Sequence, residues 1–134
     1  NKMLPSILKG KTKVVYGSRF IGTNFFSRNK WFSPTHYIGN KLLSLITSLL
    51  YFRRITDMET CYKMFDKEVL KKIKLQAKRF DIEPEITAKI IRGGYKIKEI
   101  PINYYPRGFH DGKKITWRDG IHAFFYLLKY RFIR

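Results

Sequence analysis

Two neighbouring segments of different apolar period confine this chain to a mixed fold. KVVYGS at 13–18 is a short, nearly continuous apolar run closed by a glycine, the pattern of a parallel strand buried on both faces. From about Thr35 to Phe52, by contrast, Ile38, Leu42, Leu45, Ile46 and Leu49 recur at helical spacing, with Lys41, Ser44, Thr47 and Ser48 on the other side. The alternation continues downstream. CYKMFD at 61–66 reads as a strand, KEVLKKIKL at 67–75 as a short basic helix, and EITAKII as a helix led by Pro84 and stopped by Gly93 and Gly94. YKIKEIPINYY at 95–105 reads as a strand whose apolar parity changes around Pro101, which requires a bulge or an edge position. A basic amphipathic helix at about 115–132 follows, with Trp117, Ile121, Phe124, Phe125, Leu128 and Phe132 on one face and Gly120 as a point of interruption. Residues 2–9 read as a helix tail capped by Gly10. This order implies an α/β layer architecture in one domain.

Charge narrows the partners. The 28 Lys and Arg against 10 Asp and Glu give a formal charge of +18, more than solubility requires, so an anionic partner is expected: nucleic acid, anionic lipid headgroups or a phosphorylated substrate. A single cysteine, Cys61, excludes an intrachain disulfide and a multi-cysteine metal site. The richest apolar run, LLSLITSLLYF at 42–52, falls short of the roughly 18 to 20 residues that a bilayer crossing needs.

The acids are distributed unevenly. Ten Lys and Arg precede the first carboxylates, Asp57 and Glu59, which arrive together in ITDMETCYKMF at 55–65. On an extended backbone both would face one side with Cys61 and Lys63, where they could hold a metal or a sugar hydroxyl or act on a proton; the plain alternative is a turn cap and an ion pair. Arg19 follows the strand and glycine turn of VVYGSR, where Gly17 would let a ligand approach the backbone and Arg19 could clamp a phosphate; the alternative is a turn glycine with a solvated arginine. Residues 17–35 have the composition of a long binding loop, and RGFHDGKK at 107–114 that of a basic loop able to close over phosphates through Arg107, Lys113 and Lys114, or simply a solvated one. Asp81, Glu83 and Glu85 are better explained by the helix dipole beside Pro84. His36, His110 and His122 are too scattered to suggest a metal centre.

Taken jointly, VVYGSRF, RRITDMETCYKMF, RFDIEPEITAKIIRGGYKIKEIPINYYPR and DGKKITWRDGIHAFFYLLKYRF resemble the C-terminal half of a family 2 glycosyltransferase of the dolichol-phosphate mannosyltransferase and polyprenyl-phosphate glycosyltransferase group. The resemblance spans nearly the whole chain in order. It implies part of a three-layer, Rossmann-like GT-A fold, with residues 1–134 as the acceptor-side half of the catalytic domain. It further implies inverting transfer of a hexose, mannose or glucose, from GDP-mannose or UDP-glucose to a polyprenyl or dolichyl phosphate. The enzyme would lie peripherally at the cytoplasmic face of an anionic membrane, without nucleic acid as a partner. A divalent metal, Mg or Mn, is implied too, but the nucleotide-binding half with its DxD-type ligands is expected to precede Asn1, so no metal ligand is assigned here.

By the same resemblance Asp57 is the catalytic-site aspartate, and Arg19, Arg107, Lys113, Lys114, His36 and Asn40 are substrate-binding; Glu59 is counted with them for its alternation with Asp57. Because a phosphate acceptor is already anionic near neutrality, Asp57 would position the acceptor or sugar, or assist the metal; with a hydroxyl acceptor it would be the base. Cys61 departs from the usual glycine of the motif. Two other classes compete: a basic, aromatic-rich nucleic-acid-binding module and a non-catalytic peripheral membrane domain.

Overall fold

The structure, a computed structural model, describes residues 3–22, 34–77, 81–104 and 117–133. Its elements in chain order are α1 (Leu4–Leu8), β1 (Val14–Ser18), α2 (Pro34–Tyr51), β2 (Lys63–Phe65), α3 (Lys67–Lys72), α4 (Ile82–Arg92), β3 (Ile97–Pro101) and α5 (Trp117–Phe132). The fold is a small mixed α/β one, as the alternating periods imply.

The apolar run of β1 makes it the central strand: every residue from Val14 to Ser18 is buried. It pairs antiparallel with β2, Val14 opposite Phe65 and Tyr16 opposite Lys63, and parallel with β3, Val14 opposite Ile97 and Ser18 opposite Pro101. The order is β2-β1-β3, so β3 lies at an edge of the described sheet, where the missing N–H of Pro101 is harmless. Pairing resumes one residue later, where the Ile102 amide donates to the Ser18 carbonyl at 3.0 Å.

Local signals set the helix ends. Gly10, at φ +64°, closes α1. Asp66 caps α3 by accepting from the Glu68 amide at 2.9 Å, and Lys71 and Lys72 occupy its last turn, where the helix dipole favours cations. At the end of α4 the Gly94 amide donates to Ile91 O and the Tyr95 amide to Ile90 O, a Schellman closure that uses the +80° φ of Gly94. The acids of α4 are structural: Glu83 pairs with Lys63, and buried Glu85 accepts from the amides of Gln76 and Ala77 at 2.7 to 3.1 Å. The helix α5 runs through Gly120 without interruption.

Two clusters form the core. Val14, Tyr16, Val69 and Ile90 pack between the sheet, α3 and α4, while Leu43, Tyr51, Ile55, Met58, Ala88, Ala123, Leu127 and Tyr130 join α2, α4 and α5. Both long helices face the opposite way from their expected apolar stripes. In α2 the buried residues are Leu43, Ser44, Thr47 and Tyr51, while Ile38, Leu42, Leu45 and Leu49 are 54 to 65% exposed. In α5 Ala123, Leu127 and Tyr130 are buried, and Trp117, Ile121, Phe125 and Phe132 are exposed.

Hydrogen bonding explains the turn of α2. Ser44, Thr47 and Ser48 donate their hydroxyls to the carbonyls four residues back at 2.7 to 2.8 Å, so burial leaves no proton unsatisfied. The Ser44 and Ser48 hydroxyl oxygens then accept, at 3.0 Å each, the amides of Met58 and Ile55. The hydroxyl face of α2 is therefore the bed on which residues 55–58 lie. Those residues are not the expected strand-like segment: Met58 and Glu59 form a turn, and extended pairing begins only at Lys63. Phe52, which closes α2, adopts φ +53° and is the one non-glycine described residue in the left-handed region; Cys61 does not need it.

Candidate functional site

The first carboxylate of the chain meets the cation that follows β1. Asp57 Oδ2 accepts from the Arg19 backbone amide at 2.9 Å and from Nε at 2.7 Å, and Oδ1 accepts from a terminal guanidinium nitrogen at 2.7 Å. Both side chains are buried, Asp57 wholly. The planar fork of arginine fits a carboxylate through two parallel bonds, the geometry that makes such pairs strong when buried.

A second layer holds the pair in place. Glu99 of β3 accepts from the amides of Thr56 and Asp57 at 2.9 and 3.0 Å and from the Thr56 hydroxyl at 3.0 Å. Burial pushes the Glu99 carboxyl upward against these bonds. Ser18 and Thr56 share a hydroxyl bond of 2.7 Å, and the Thr60 hydroxyl donates to Gly17 O at 2.6 Å. Glu99 is a lone acid in the basic stretch between Glu85 and Asp111. Sequence reasoning missed it, although an isolated acid in a basic strand was a usable signal.

Gly17 has a different part from the one expected. A Cβ there would come within 2.8 Å of Ile102 and 2.9 Å of Tyr62, so the missing side chain makes room for these residues, and its φ is not in the left-handed region. Gly17→Ala is expected to destabilise the chain by about 1 to 3 kcal/mol, read as a lower urea midpoint; an unchanged midpoint would contradict this packing.

Arg19 connects the pair to α2. Its guanidinium reaches Asn40 Oδ1 at 3.4 Å, and Asn40 Nδ2 donates to the His36 carbonyl at 2.7 Å. Its other neighbours are aromatic, with Tyr104 and Phe20 ring centres at 5.2 and 5.5 Å.

Asn40 and His36 also line a cleft of about 900 Å³ between α2 and α5. Its walls are mostly apolar, supplied by residues such as Leu43, Ile46, Trp117 and Phe124, and Glu59 lies among them. Glu59 Oε1 is buried with no hydrogen-bond partner among the described residues. Burial pushes its carboxyl up to about 7; Lys63 and Arg19 oppose the shift, Glu83 and Asp57 add to it.

The structure thus brings Arg19, Asp57, Glu59, His36 and Asn40 to one place. Arg107, Lys113 and Lys114 lie outside the described residues, as does most of the loop between residues 17 and 35. Asp57 and Glu59 diverge, one to Arg19 and the other to the cleft. A divalent cation does not fit the described residues by themselves: no three carboxylate, imidazole or thiol groups converge among them, and Asp57 is committed to Arg19.

Comparison with known proteins finds a partial likeness. Over 106 residues, 79% of this chain, it is 26% identical to the glycosyltransferase AglJ of Haloferax volcanii. The match supports a glycosyltransferase assignment. The chain spans about a third of that relative, 33% of its length. No protein-family profile and no solved structure matches the chain.

Proposed function

We propose that this chain supplies the acceptor side of a family 2, GT-A-type glycosyltransferase that moves a hexose from a nucleotide-sugar such as GDP-mannose or UDP-glucose to a polyprenyl or dolichyl phosphate. The observation that carries the reading is the cleft. An apolar channel is bounded on one side by Asn40, which the buried Arg19 reaches at 3.4 Å, and opens among exposed apolar side chains on the other. Leu42, Trp117, Ile121 and Phe125 line the cleft and are also exposed, so its mouth is continuous with the outward stripes of α2 and α5. A long isoprenoid chain could pass from a bilayer into it without crossing water.

The outward stripes themselves argue for a membrane. Folding alone does not favour leaving four large aliphatic side chains of α2 exposed while burying its hydroxyls, nor placing an 83% exposed phenylalanine at positive φ. Lys41, Arg53, Arg54, Arg118 and Lys129 are exposed on or beside the same two helices, and each cation near an anionic surface adds about 1 kcal/mol. Among the described residues no helix is long and apolar enough to cross a membrane, so the contact would be interfacial.

In this reading the Arg19–Asp57 pair orders the end of the cleft where the acceptor phosphate meets the sugar, with Asp57 fixing the guanidinium and not taking a proton. An acceptor phosphate is anionic near neutrality and needs no strong base. A divalent metal, for which the described residues present no ligand set of their own, would supply stabilisation of the leaving nucleotide.

Vesicle sedimentation tests the membrane part. The chain is expected to bind phosphatidylserine vesicles at low salt and to be released at about 0.5 M salt. Leu45→Gln with Leu49→Gln should weaken that binding at least tenfold while leaving the unfolding midpoint within about 0.5 kcal/mol of wild type. Equal vesicle binding by the double variant would refute the interfacial role of α2.

A further inference from the structure

We propose that Glu59 is a proton switch on the cleft: it must be protonated for the cleft to take an anionic amphiphile, and alkalinisation empties the site. This rests on the reading of the cleft as the acceptor's channel and adds a regulation to it.

Glu59 Oε1 is cut off from solvent and has no hydrogen-bond partner among the described residues, in a cleft whose other walls are largely apolar. A buried carboxyl in that position wants either a donor, if ionised, or an acceptor, if protonated. An anionic phosphate oxygen is an acceptor. The protonated acid can donate its O–H to it and satisfy both groups, whereas the carboxylate would repel it at short range in a medium that screens poorly.

The charged groups around Glu59 do not remove this conflict. Lys63, from β2, is the cation that acts on it most strongly, but its ammonium is engaged by Glu83 of α4 and by the carbonyls of Met58 and Thr60. Arg19, after β1, is engaged by Asp57. Glu83 and Asp57 add negative charge, as does Asp119 of α5, which lines the same cleft together with His36 of α2. Glu59 therefore sits beside two cations whose charge is already matched. Its own burial raises the proton affinity into the neutral range, so the switch would work at physiological pH.

The test uses a probe whose charge does not change. Dodecyl methyl phosphate, a phosphodiester, stays singly anionic from pH 5.5 to 8.5; 1-dodecanol is the neutral control. Binding is followed by the fluorescence of Trp117 in a Trp31→Phe background, below the micelle threshold. The phosphodiester is expected to weaken towards tenfold per pH unit above the titration, the limit for one linked proton. Glu59→Gln should bind it with a flat pH profile, and His36→Gln should keep the wild-type slope. Calorimetry of the unsubstituted chain in two buffers of different ionisation enthalpy gives a measure independent of any variant: proton uptake on binding is expected near pH 7.5.

A flat wild-type profile with no proton uptake would overturn the switch, and so would a slope that survives Glu59→Gln. If neither probe perturbs Trp117 at any pH, in either protein, the channel reading itself fails, and the switch with it.

Discussion

Glu59→Gln is expected to make the chain more stable at pH 8 by about 2 kcal/mol and less stable at pH 4 by about 1 kcal/mol. In the unfolded chain this carboxyl titrates at its ordinary value of 4.5, and in the fold burial raises it to about 7. The folded state therefore holds a proton that the unfolded state has lost between these two values. Stability falls as pH rises through that window, then levels off above it. The difference amounts to about 3 kcal/mol at about 1.4 kcal/mol per unit. Glutamine keeps the shape and cannot ionise, so it escapes the loss, less about 1 kcal/mol for an amide that also lacks partners. Urea titrations of both proteins from pH 4 to 8 check this. Parallel stability curves would show that Glu59 is ionised and solvated, and would remove the basis of the proton switch.

The second large effect lies two residues earlier. Asp57→Ala is expected to cost about 3 to 5 kcal/mol, because it strands the buried guanidinium of Arg19 without the carboxylate that accepts two of its N–H bonds and that of the Arg19 backbone amide. Asp57→Asn should cost nearly as much, since its amide can accept from one side of the fork only. Removing both charges is a different matter. Arg19→Met with Asp57→Leu should recover most of the loss, because the pair's attraction roughly offsets the desolvation of its members. That pattern, a costly single and a mild double, would show that the pair is kept for its chemistry and not for folding. A double variant as unstable as the single would mean that the pair is a structural necessity, and that its position beside the cleft says little about function.

Periodicity located most elements because their causes are local. The run of apolar residues at 13–18 became the buried central strand, and the 35–52 pattern became a helix within one residue at either end. Which way the helices face was not legible. Serine and threonine count as polar in any pattern, yet in α2 they satisfy themselves on the preceding turn and then receive the amides of residues 55 and 58. The alternation of Asp57, Glu59 and Cys61 imitated a strand for a related reason. Its amides are taken by the Ser44 and Ser48 hydroxyls and by Glu99, long-range partners that a local reading cannot supply.

Among the candidate-site residues, Arg19 and Asp57 were legible because a cation after a strand-glycine turn and the first acid after a long basic stretch are both conspicuous. Asn40 and His36 came from resemblance alone. Glu99 acts through backbone amides, so no side-chain motif announces it. Its place in the fold makes it a positioning residue: Glu99→Gln would exchange an acceptor pair for a mixed group and loosen the turn that presents Asp57.

The central claim is that the cleft between α2 and α5 receives an isoprenoid chain whose phosphate faces Arg19. Photolabelling tests it most directly, with a diazirine-bearing isoprenyl phosphate presented in vesicles and the labelled sites read by mass spectrometry. The account predicts adducts on the cleft-lining residues of α2 and α5, around Leu43, Ile46, Ile121 and Phe124, competed away by unlabelled isoprenyl phosphate but not by an isoprenyl alcohol at the same concentration. Adducts confined to the outer stripes, or competed equally by the alcohol, would contradict it.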